Sequence, residues 1–444
     1  MDGLTVNNVQ DGAVPLPRPS AAEDGAEQPL RVALVVPPYF DVPPKAYGGV
    51  ESVVADLADA LVARGHRVTL FGVGENETSA RFVPVWSEPI PERLGEPFPE
   101  VVHAALCRRA VERLVAEEGL DVVHDHTFAG PLNAPAYGAL GLPTVVTMHG
   151  PVDDDLRQYY STLGSDIDLV AISERQRQLA PDLPWAGMVH NAVRVETFPY
   201  QPDKGDYAVF LGRFHPDKAP HLALEAAHAA GLRLVLAGKC AEPQEEEYFD
   251  REVRPRLTDR DTVFGQADAD EKRRLLARAR CLLFPIQWEE PFGMVMIEAM
   301  ACGTPVVAMR GGAVAEIVED GVTGYICDDL SELPAALHRL DQIDPAVCRR
   351  TVAERFNIDA LGAGYEAVYR AVLAARRSGT AAAATGRVRP SDALDVLKTE
   401  YGDLDAALGQ QYNREQGLVR SGETLPQPPA AGGPAAAPGE PNAA

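Results

Sequence analysis

"EEPFGMVMIEAMACGTPVVA", residues 289–308, is mostly apolar yet contains Glu290 and Glu298, with seven residues between them. Carboxylates avoid full burial unless a partner satisfies them, so polar groups must reach this stretch. The apolar run CLLFP before it predicts a buried strand, and the pattern of 292–302 predicts a helix followed by a second strand, TPVVAM. The stretch is therefore predicted to belong to a strand–helix–strand unit that presents two carboxylates.

The same alternation extends in both directions from this unit. RVALVVP (31–37) predicts a buried strand and GGVESVVADLADALVARG (48–65) predicts a helix, and similar patterns continue to DLVAIS. The alternation pauses at 193–207, where prolines, a glycine and mixed charges indicate a linker, and then it restarts. Near-continuous apolar strands that alternate with helices predict an α/β protein with two doubly wound parallel-sheet domains.

These patterns divide the chain into five segments. The predicted segments are a disordered arm (1–29), an N-terminal Rossmann-like domain (30–195), a C-terminal Rossmann-like domain (196–357), a long helix (358–377) and a largely disordered tail (378–444). In open parallel sheets, ligands bind beyond the carboxyl ends of the strands. Two such domains that face each other therefore predict a ligand cleft between them.

The net charge and the hydropathy of the chain argue against some classes of binding partner. The chain has 444 residues and a formal net charge of −24 at pH 7, which argues against a nucleic-acid partner because phosphate binding needs a basic face. No apolar run reaches the ~18 residues of a membrane span, and the first residues lack a signal-peptide pattern. We expect a cytoplasmic protein without a membrane span, and peripheral membrane association stays open.

Candidate binding groups follow several predicted strands. Gly48 and Gly49 open the first helix, where glycine allows close approach and a helix N-terminus favours an anion. His149 follows the strand TVVTM, a position for a proton carrier or a hydrogen-bond donor. Arg213 and Lys218 follow AVFLG, and two cations suit a diphosphate. The structural alternatives are a helix cap, a buried histidine and a solvated pair of charges.

Glu290 and Glu298 of the opening stretch have a binding interpretation and a structural one. Carboxylates accept hydrogen bonds from vicinal hydroxyls, so Glu290 could hold a hexose and Glu298 a ribose. The backbone N–H groups of residues 292–294 would be free at the predicted helix start. In the structural alternative, both glutamates only cap and pair within the fold.

Metal-binding patterns in the sequence are weak. His124, Asp125 and His126 lie together in VVHDH, but the strand alternates sides and no third ligand is evident. The Asp-x-Asp motifs at 166–168 and 268–270 would suit a metal-dependent transferase of another fold, although aspartate is also common in helix caps and surface loops. We expect no metal site.

GRFHPDK (212–218) and the run 289–324, from EEPFG to DGVTG, resemble the retaining GT-B glycosyltransferases of glycosyltransferase family 4. The family signature is E-x7-E, which Glu290 and Glu298 match. The resemblance covers residues 30–376, and GGVE, TMHG and HNAV match the N-terminal half in the family's order. It implies the GT-B architecture, two Rossmann-like domains facing a cleft, with a final helix that crosses back to the first domain.

The resemblance also implies roles for individual residues. Glu290 matches the glutamate that contacts the transferred sugar, and His149 matches a histidine near the reaction centre. Glu298 matches the residue that binds the nucleotide ribose, and Arg213 and Lys218 would neutralise the leaving diphosphate. The other implied donor contacts are Gly48, Gly49, Ala267, Lys272, Gly293, Met294 and Val295.

The resemblance implies a hexosyltransferase that retains anomeric configuration. The donor would be a nucleotide-diphosphate sugar of the UDP-glucose or GDP-mannose type, and the acceptor a hydroxyl group of a small molecule or glycan. Fixed cations would balance the charge of the leaving group, so no metal ion or other cofactor is implied. We expect the acceptor at the N-terminal loops 39–47, 75–100 and 150–165. A nucleotide-sugar epimerase and a sugar-nucleotide-binding protein without turnover are the alternatives.

Two loop positions depart from the family pattern. Ala219 follows Lys218 where relatives often have glycine, and Ala192 follows Asn191 where glycine is also common. Both departures concern the local backbone geometry and cast little doubt on the chemistry.

Overall fold

The computed structural model describes residues 28–45, 48–240 and 242–383. The predicted arm up to residue 27 and the predicted tail beyond residue 383 lie outside the described residues. The described residues up to Arg376 belong to one compact unit, and those from Arg377 to Ala383 belong to a second.

Described residues before the linker form a parallel sheet with the strand order β3-β2-β1-β4-β5-β6-β7. Its strands are β1 (Arg31–Val35), β2 (Arg67–Val73), β3 (Arg81–Trp86), β4 (Val122–Asp125), β5 (Thr144–Met148), β6 (Ile167–Ala171) and β7 (Trp185–Met188). Its helices are α1 (Gly49–Ala63), α2 (Pro97–Glu117), α3 (Ala134–Ala139), α4 (Asp154–Leu163) and α5 (Glu174–Leu179). The strand order reverses between β1 and β4, so the loops after these strands diverge and leave a crevice.

Described residues after the linker form a second parallel sheet with the order β10-β9-β8-β11-β12-β13. Its strands are β8 (Tyr207–Leu211), β9 (Arg233–Ala237), β10 (Thr262–Gly265), β11 (Cys281–Phe284), β12 (Val306–Met309) and β13 (Gly324–Cys327). Its helices are α6 (Pro220–Ala229), α7 (Pro243–Tyr248), α8 (Ala269–Arg278), α9 (Met294–Ala301), α10 (Val314–Ile317), α11 (Leu333–His338) and α12 (Pro345–Arg355). Here the order reverses between β8 and β11, the strands that precede the two family motifs.

The central strands of both sheets are covered on both faces. Every residue of β4, β5, β11 and β12 is buried. Burial on both faces is what near-continuous apolar runs indicate, because helices pack on each side of a parallel sheet. The predicted fold class, two doubly wound parallel sheets, is confirmed.

The last helix, α13 (Ile358–Ala383), follows the C-terminal sheet in the chain but packs on the N-terminal one. Leu361, Tyr365, Val368 and Tyr369 repeat every three or four residues and share a buried cluster with residues of β1 and α1. The helix continues past residue 377, its predicted end, to Ala383, the last residue that the structure describes. Alanine is the strongest helix former, so the run of alanines after Thr380 continues the helix.

Several predicted boundaries need correction. Helix α9 begins at Met294 and not at residue 292, because Gly293 has a φ of +88°, which does not fit a right-handed helix. The loop 150–165 contains α4, whose first turn is capped by the Asp153 carboxylate, which accepts from the Leu156 N–H at 2.8 Å. Strands β3, β7 and β13 were not predicted; each lies at a sheet edge. No residue of β3 or β7 is fully buried, so the apolar pattern of these two strands is weaker than that of the central strands.

Candidate active site

A cavity of about 640 Å³ lies between the two sheets and is lined from both sides. Its walls include the start of α1, the loop after β8, the loop after β9, and residues of α8 and α9. The predicted donor-binding residues that line it are Gly48, Gly49, Arg213, Lys272, Met294, Val295 and Glu298, together with Ala267. Residues that are far apart in the sequence thus meet at one cavity, which we call the interdomain cavity.

The N-terminal wall of the interdomain cavity is the start of α1. Gly48 has a φ of +141°, and a Cβ there would lie 2.8 Å from the Cβ of Pro44, so the turn requires glycine. A Cβ on Gly49 would meet no described atom within 4 Å, so its backbone borders open space. The first N–H groups of a helix have no intrahelical acceptor and carry the positive end of the helix dipole. This wall can therefore receive an anion.

The opposite wall carries cations after β8 and β9. The Arg213 side chain is 39% exposed, and its guanidinium lies 3.8 Å from the Glu245 carboxylate. Lys239, which the sequence interpretation missed, also lines the cavity, and its Nζ donates to Glu242 at 3.0 Å. Lys239 follows β9 as Arg213 follows β8, so its position after a buried strand was the available signal. Both cations keep part of their charge accessible to a ligand.

Glu298 is paired within the protein. It lies on α9 and is only 8% exposed. The ammonium group of Lys272, on α8, donates to it at 2.5 Å. Both side chains line the interdomain cavity, so a ligand that enters it can exchange contacts with this pair.

Glu290 is also paired with a lysine. Its carboxylate contacts the ammonium group of Lys218 and accepts from the Trp288 indole N–H at 3.0 Å. The Lys218 Nζ lies 4.5 Å from the centre of the Trp288 ring, a cation–π contact. A Cβ on Gly312 would lie 2.0 Å from the Glu290 carbonyl oxygen, so the next loop fixes the Glu290 backbone. The pairing that formed the structural alternative is therefore present at both glutamates.

Some predicted residues lie outside the lining of the interdomain cavity. In the described part of the chain, the lining residues do not include Glu290, Lys218, Gly293 or His149. Glu290 and Lys218 contact each other, and Gly293 is the residue before α9. The structure thus groups the predicted residues into a cavity-lining set, a Lys218–Glu290 pair and a separate histidine.

His149 follows β5, is half-buried and shares a hydrogen bond of 2.9 Å between its Nε2 and the Nδ1 of His126. Burial lowers the pKa of His149 to about 4. Burial is also the main cause that lowers the pKa of His126 well below its usual value, and the charges of His124 and His149 lower it further. Both rings are therefore uncharged at neutral pH, and His149 is suited to hydrogen bonding.

A second hydrogen-bonded set links the neighbouring His124 to α13. The Nδ1 of His124 bonds the Tyr369 hydroxyl and its Nε2 bonds the Thr147 hydroxyl, both at 2.7 Å. Thr147 also bonds the Tyr365 hydroxyl at 2.8 Å. No local sequence pattern predicts this network, because Tyr369 stands 245 positions from His124. The crossing helix thus supplies hydrogen-bond partners to His124 and Thr147.

The two domains are joined by ionic contacts near Glu290. Glu316, on α10, accepts from the backbone N–H groups of Glu174 and Arg175 at 2.8 and 2.7 Å, at the start of α5. The Arg175 guanidinium donates to the carboxylate of Glu289 at 2.6 and 3.0 Å. Glu289 is the residue before Glu290, so a domain contact and a predicted site residue are adjacent in one loop.

The structure gives no metal-binding cluster to the residues that it describes. Across 28–45, 48–240 and 242–383, no three His, Cys, Asp or Glu residues are placed to hold a metal ion. Asp125 instead accepts from the N–H and hydroxyl of Thr127 at 2.8 and 2.7 Å. None of the helices in this part of the chain has the length and apolarity to cross a bilayer.

Family models match both halves of the chain. Residues 47–188 match the model "Glycosyltransferase Family 4", and residues 197–340 match "Glycosyl transferases group 1". The chain belongs to glycosyltransferase family 4. The predicted resemblance is thereby confirmed, and both matches fall on the two sheets that enclose the interdomain cavity.

Similar proteins share this family and architecture. The glycosyltransferase is 28% identical to a phosphatidyl-myo-inositol mannosyltransferase of Mycolicibacterium smegmatis, over 69% of this chain and 84% of that protein. It is 28% identical to a D-inositol 3-phosphate glycosyltransferase of Acidothermus cellulolyticus, over 77% and 89%. Among solved structures, AviGT4, a glycosyltransferase involved in avilamycin A biosynthesis, is 27% identical with a TM-score of 0.59, over 78% of this chain and 98% of that one.

Proposed function

We propose that this glycosyltransferase transfers a hexose from a nucleotide-diphosphate sugar, of the UDP-glucose or GDP-mannose type, to a hydroxyl acceptor. The transfer retains the anomeric configuration and uses no metal ion. The observation that carries the proposal is the interdomain cavity, where a glycine-opened helix N-terminus faces Arg213 and the Lys272–Glu298 pair. An anion receptor and a hydroxyl receptor in one cavity match the two ends of a nucleotide diphosphate.

Donor binding follows from the charges of the cavity. The diphosphate lies between the α1 N-terminus and Arg213, since both favour negative charge. The ribose hydroxyls donate to the Glu298 carboxylate, which Lys272 also contacts. Lys239 adds a further cation at the same wall. This division of roles assigns every charged lining residue named above to one part of the donor.

The proposed chemistry needs no group beyond the donor and acceptor. The bond between the anomeric carbon and the phosphate oxygen breaks, and its electron pair stays on the oxygen. The acceptor hydroxyl attacks the same face of the sugar, and its proton passes to the departing phosphate oxygen. Lys218 and Arg213 stabilise the negative charge on the leaving group. Glu290 exchanges its bond with Lys218 for hydroxyls of the sugar and orients the ring.

The acceptor class draws support from the relatives. The two curated relatives named above are, by name, inositol-lipid and inositol-phosphate transferases. An inositol-type polyol is therefore the first acceptor to assay, together with its phosphate ester. Retention is read from the anomeric configuration of the product.

The test is donor hydrolysis without an acceptor. Purified protein is incubated with UDP-glucose, UDP-GlcNAc, UDP-galactose and GDP-mannose, each with EDTA or with Mg²⁺, and released UDP or GDP is measured. We expect one donor to be hydrolysed equally with EDTA and Mg²⁺, and Glu290→Gln to abolish that turnover. The matched control is Glu225→Gln, which removes a glutamate paired with Arg256 and lies outside the lining of the cavity.

Other outcomes identify the alternatives. Strict dependence on Mg²⁺ would contradict the metal-free mechanism. Tight donor binding without turnover, in the presence of the polyol acceptors as well, would favour a binding protein. Conversion of one UDP-sugar into its epimer without release of UDP would favour an epimerase.

A further inference from the structure

His126 makes a contact that the proposed mechanism does not use. Its Nδ1 lies 2.9 Å from the Nε2 of His149, the histidine predicted beside the reaction centre. Neutral imidazole carries one N–H and one bare nitrogen, so this bond has one donor and one acceptor. If His126 donates, the proton of His149 is on Nδ1; if His149 donates, its proton is on Nε2. The bond therefore ties the tautomer of His149 to that of His126. The other ring nitrogen of His149, Nδ1, then has a fixed character.

His126 itself is held by the interior of the protein. It is 5% exposed, and in the described part of the chain its Nε2 is buried without a hydrogen-bond partner. Its ring centre lies 3.9 Å from that of His124, whose two nitrogens are bonded to Tyr369 and Thr147. The ring of His126 therefore has one polar contact that orients it, the bond to His149, and one packed face.

We propose that His126 is a positioning residue, whose Nδ1 fixes the ring orientation and the single tautomer of His149. The His149 Nδ1 is then presented to the site with one constant hydrogen-bonding character. Fixed orientation matters because catalysis depends on polar groups that need no reorganisation during the reaction. His124 and the crossing helix α13 support the arrangement by fixing the packed face of His126.

The predicted effect of His126 on turnover rests on the proposed function, whereas the predicted single tautomer of His149 does not. The first experiment therefore needs no substrate: the protein is labelled with ¹⁵N-histidine, and the imidazole nitrogens of its ten histidines are observed by NMR. His149→Gln assigns the signals of His149. We expect His149 to show one tautomer in the native protein and averaged tautomers in His126→Leu. Averaging in the native protein, or an unchanged His149 spectrum in His126→Leu, would overturn the proposal.

The second experiment uses two amide variants. Asparagine places a polar atom near the position of a histidine Nδ1, whereas glutamine places it near Nε2. We expect His126→Asn to keep donor turnover and a single His149 tautomer, and His126→Gln and His126→Leu to lose roughly 100-fold in kcat, the cost of a small misplacement in a site. His338→Gln, at an exposed position, is the control. Equal losses in His126→Asn and His126→Gln, with both variants folded, would assign His126 a packing role only.

Discussion

The two sides of the cleft hold their polar groups by different means. On the C-terminal side, Glu290 and Glu298 are each neutralised by a lysine. On the N-terminal side, the histidines in β4 and after β5 are uncharged: burial lowers the pKa of His149 to about 4 and that of His124 well below its usual value. Ion pairs can be exchanged for the charges and hydroxyls of a donor. A neutral network cannot offer charge, and its contribution is orientation.

The difference also concerns distance along the chain. Glu290 and Glu298 stand in one short segment, whereas the N-terminal network joins β4 and β5 to α13. The C-terminal side is therefore held by contacts within one domain. The N-terminal side depends on a helix that reaches it only after the second domain is complete.

Removing the cation of the Lys218–Glu290 pair should have the largest effect on the free energy of unfolding. Lys218→Met leaves the Glu290 carboxylate, whose side chain is 10% exposed, without its cation. Removing one partner of a buried ion pair costs about 3 kcal/mol, so we expect the free energy of unfolding in urea to fall by that amount. Donor turnover should be lost as well.

The double variant separates stability from turnover. Lys218→Met with Glu290→Gln leaves no unpaired charge, so most of the lost stability should return while turnover stays absent. Lys239→Met is the control, because its Glu242 partner is 52% exposed and the pair is worth less than about 1 kcal/mol. A double variant as unstable as Lys218→Met would show that the pair is not the cause.

Low pH tests an ionic contact of α13, the helix that supports the neutral histidine network. Glu366, on α13, accepts from Arg370 at 2.7 Å and from Arg64 at 2.6 Å. Burial raises the pKa of Glu366, but these hydrogen bonds and the charge of His66 outweigh it and lower the pKa from 4.5 to about 2. The stabilisation is therefore present above pH 4.5 and is lost as the pH falls toward 2. The shift corresponds to about 3 kcal/mol, of which about 1 is lost by pH 3.5.

Urea unfolding at pH 6 and pH 3.5 measures this loss in wild type and in Glu366→Gln. We expect the variant to be less stable at pH 6 and the gap between the two proteins to narrow by about 1 kcal/mol at pH 3.5. Glu117→Gln, at an exposed position of α2, is the control. A gap of constant size would mean that the carboxylate does not stabilise α13 through its charge.

The neutral network itself can be broken one hydroxyl at a time. Tyr369→Phe leaves the buried Nδ1 of His124 without a partner, so we expect a loss of about 1 to 2 kcal/mol in the free energy of unfolding. Tyr365→Phe keeps the same ring, and Thr147 still bonds His124, so its cost should be less than about 1 kcal/mol. Equal costs in the two variants would show that the orphaned nitrogen is not what matters.

The same contrast explains what the sequence could predict. The E-x7-E spacing, the paired glycines before α1 and the cations after β8 are local patterns, and the cavity brings most of them together. The lysine partner of each glutamate was not predicted, because Lys218 and Glu290 are 72 positions apart. The His126–His149 bond and the Tyr369–His124 bond depend on the register of neighbouring strands and on the docking of α13. No periodicity encodes such contacts.

The smallest expected effect lies in the loop that carries Lys218. Ala219 has φ and ψ of 52° and 51° and is, in the described part of the chain, the one non-glycine residue with positive φ. This left-handed conformation costs an alanine about 1 to 2 kcal/mol, and glycine has no such cost. The loop on the charged side of the cleft therefore contains backbone strain at the residue where relatives often have glycine.

Ala192 provides the matched control for this strain. Both alanines are buried, at 0% and 2% exposure, so both glycine substitutions lose a buried methyl group and gain freedom in the unfolded chain. Only Ala219→Gly also relieves a left-handed conformation. We expect Ala219→Gly to be about 1 kcal/mol more stable to urea than Ala192→Gly, with little change from wild type. Equal destabilisation by both would mean that the loop relaxes around Ala219, and that Lys218 is not positioned by a strained backbone.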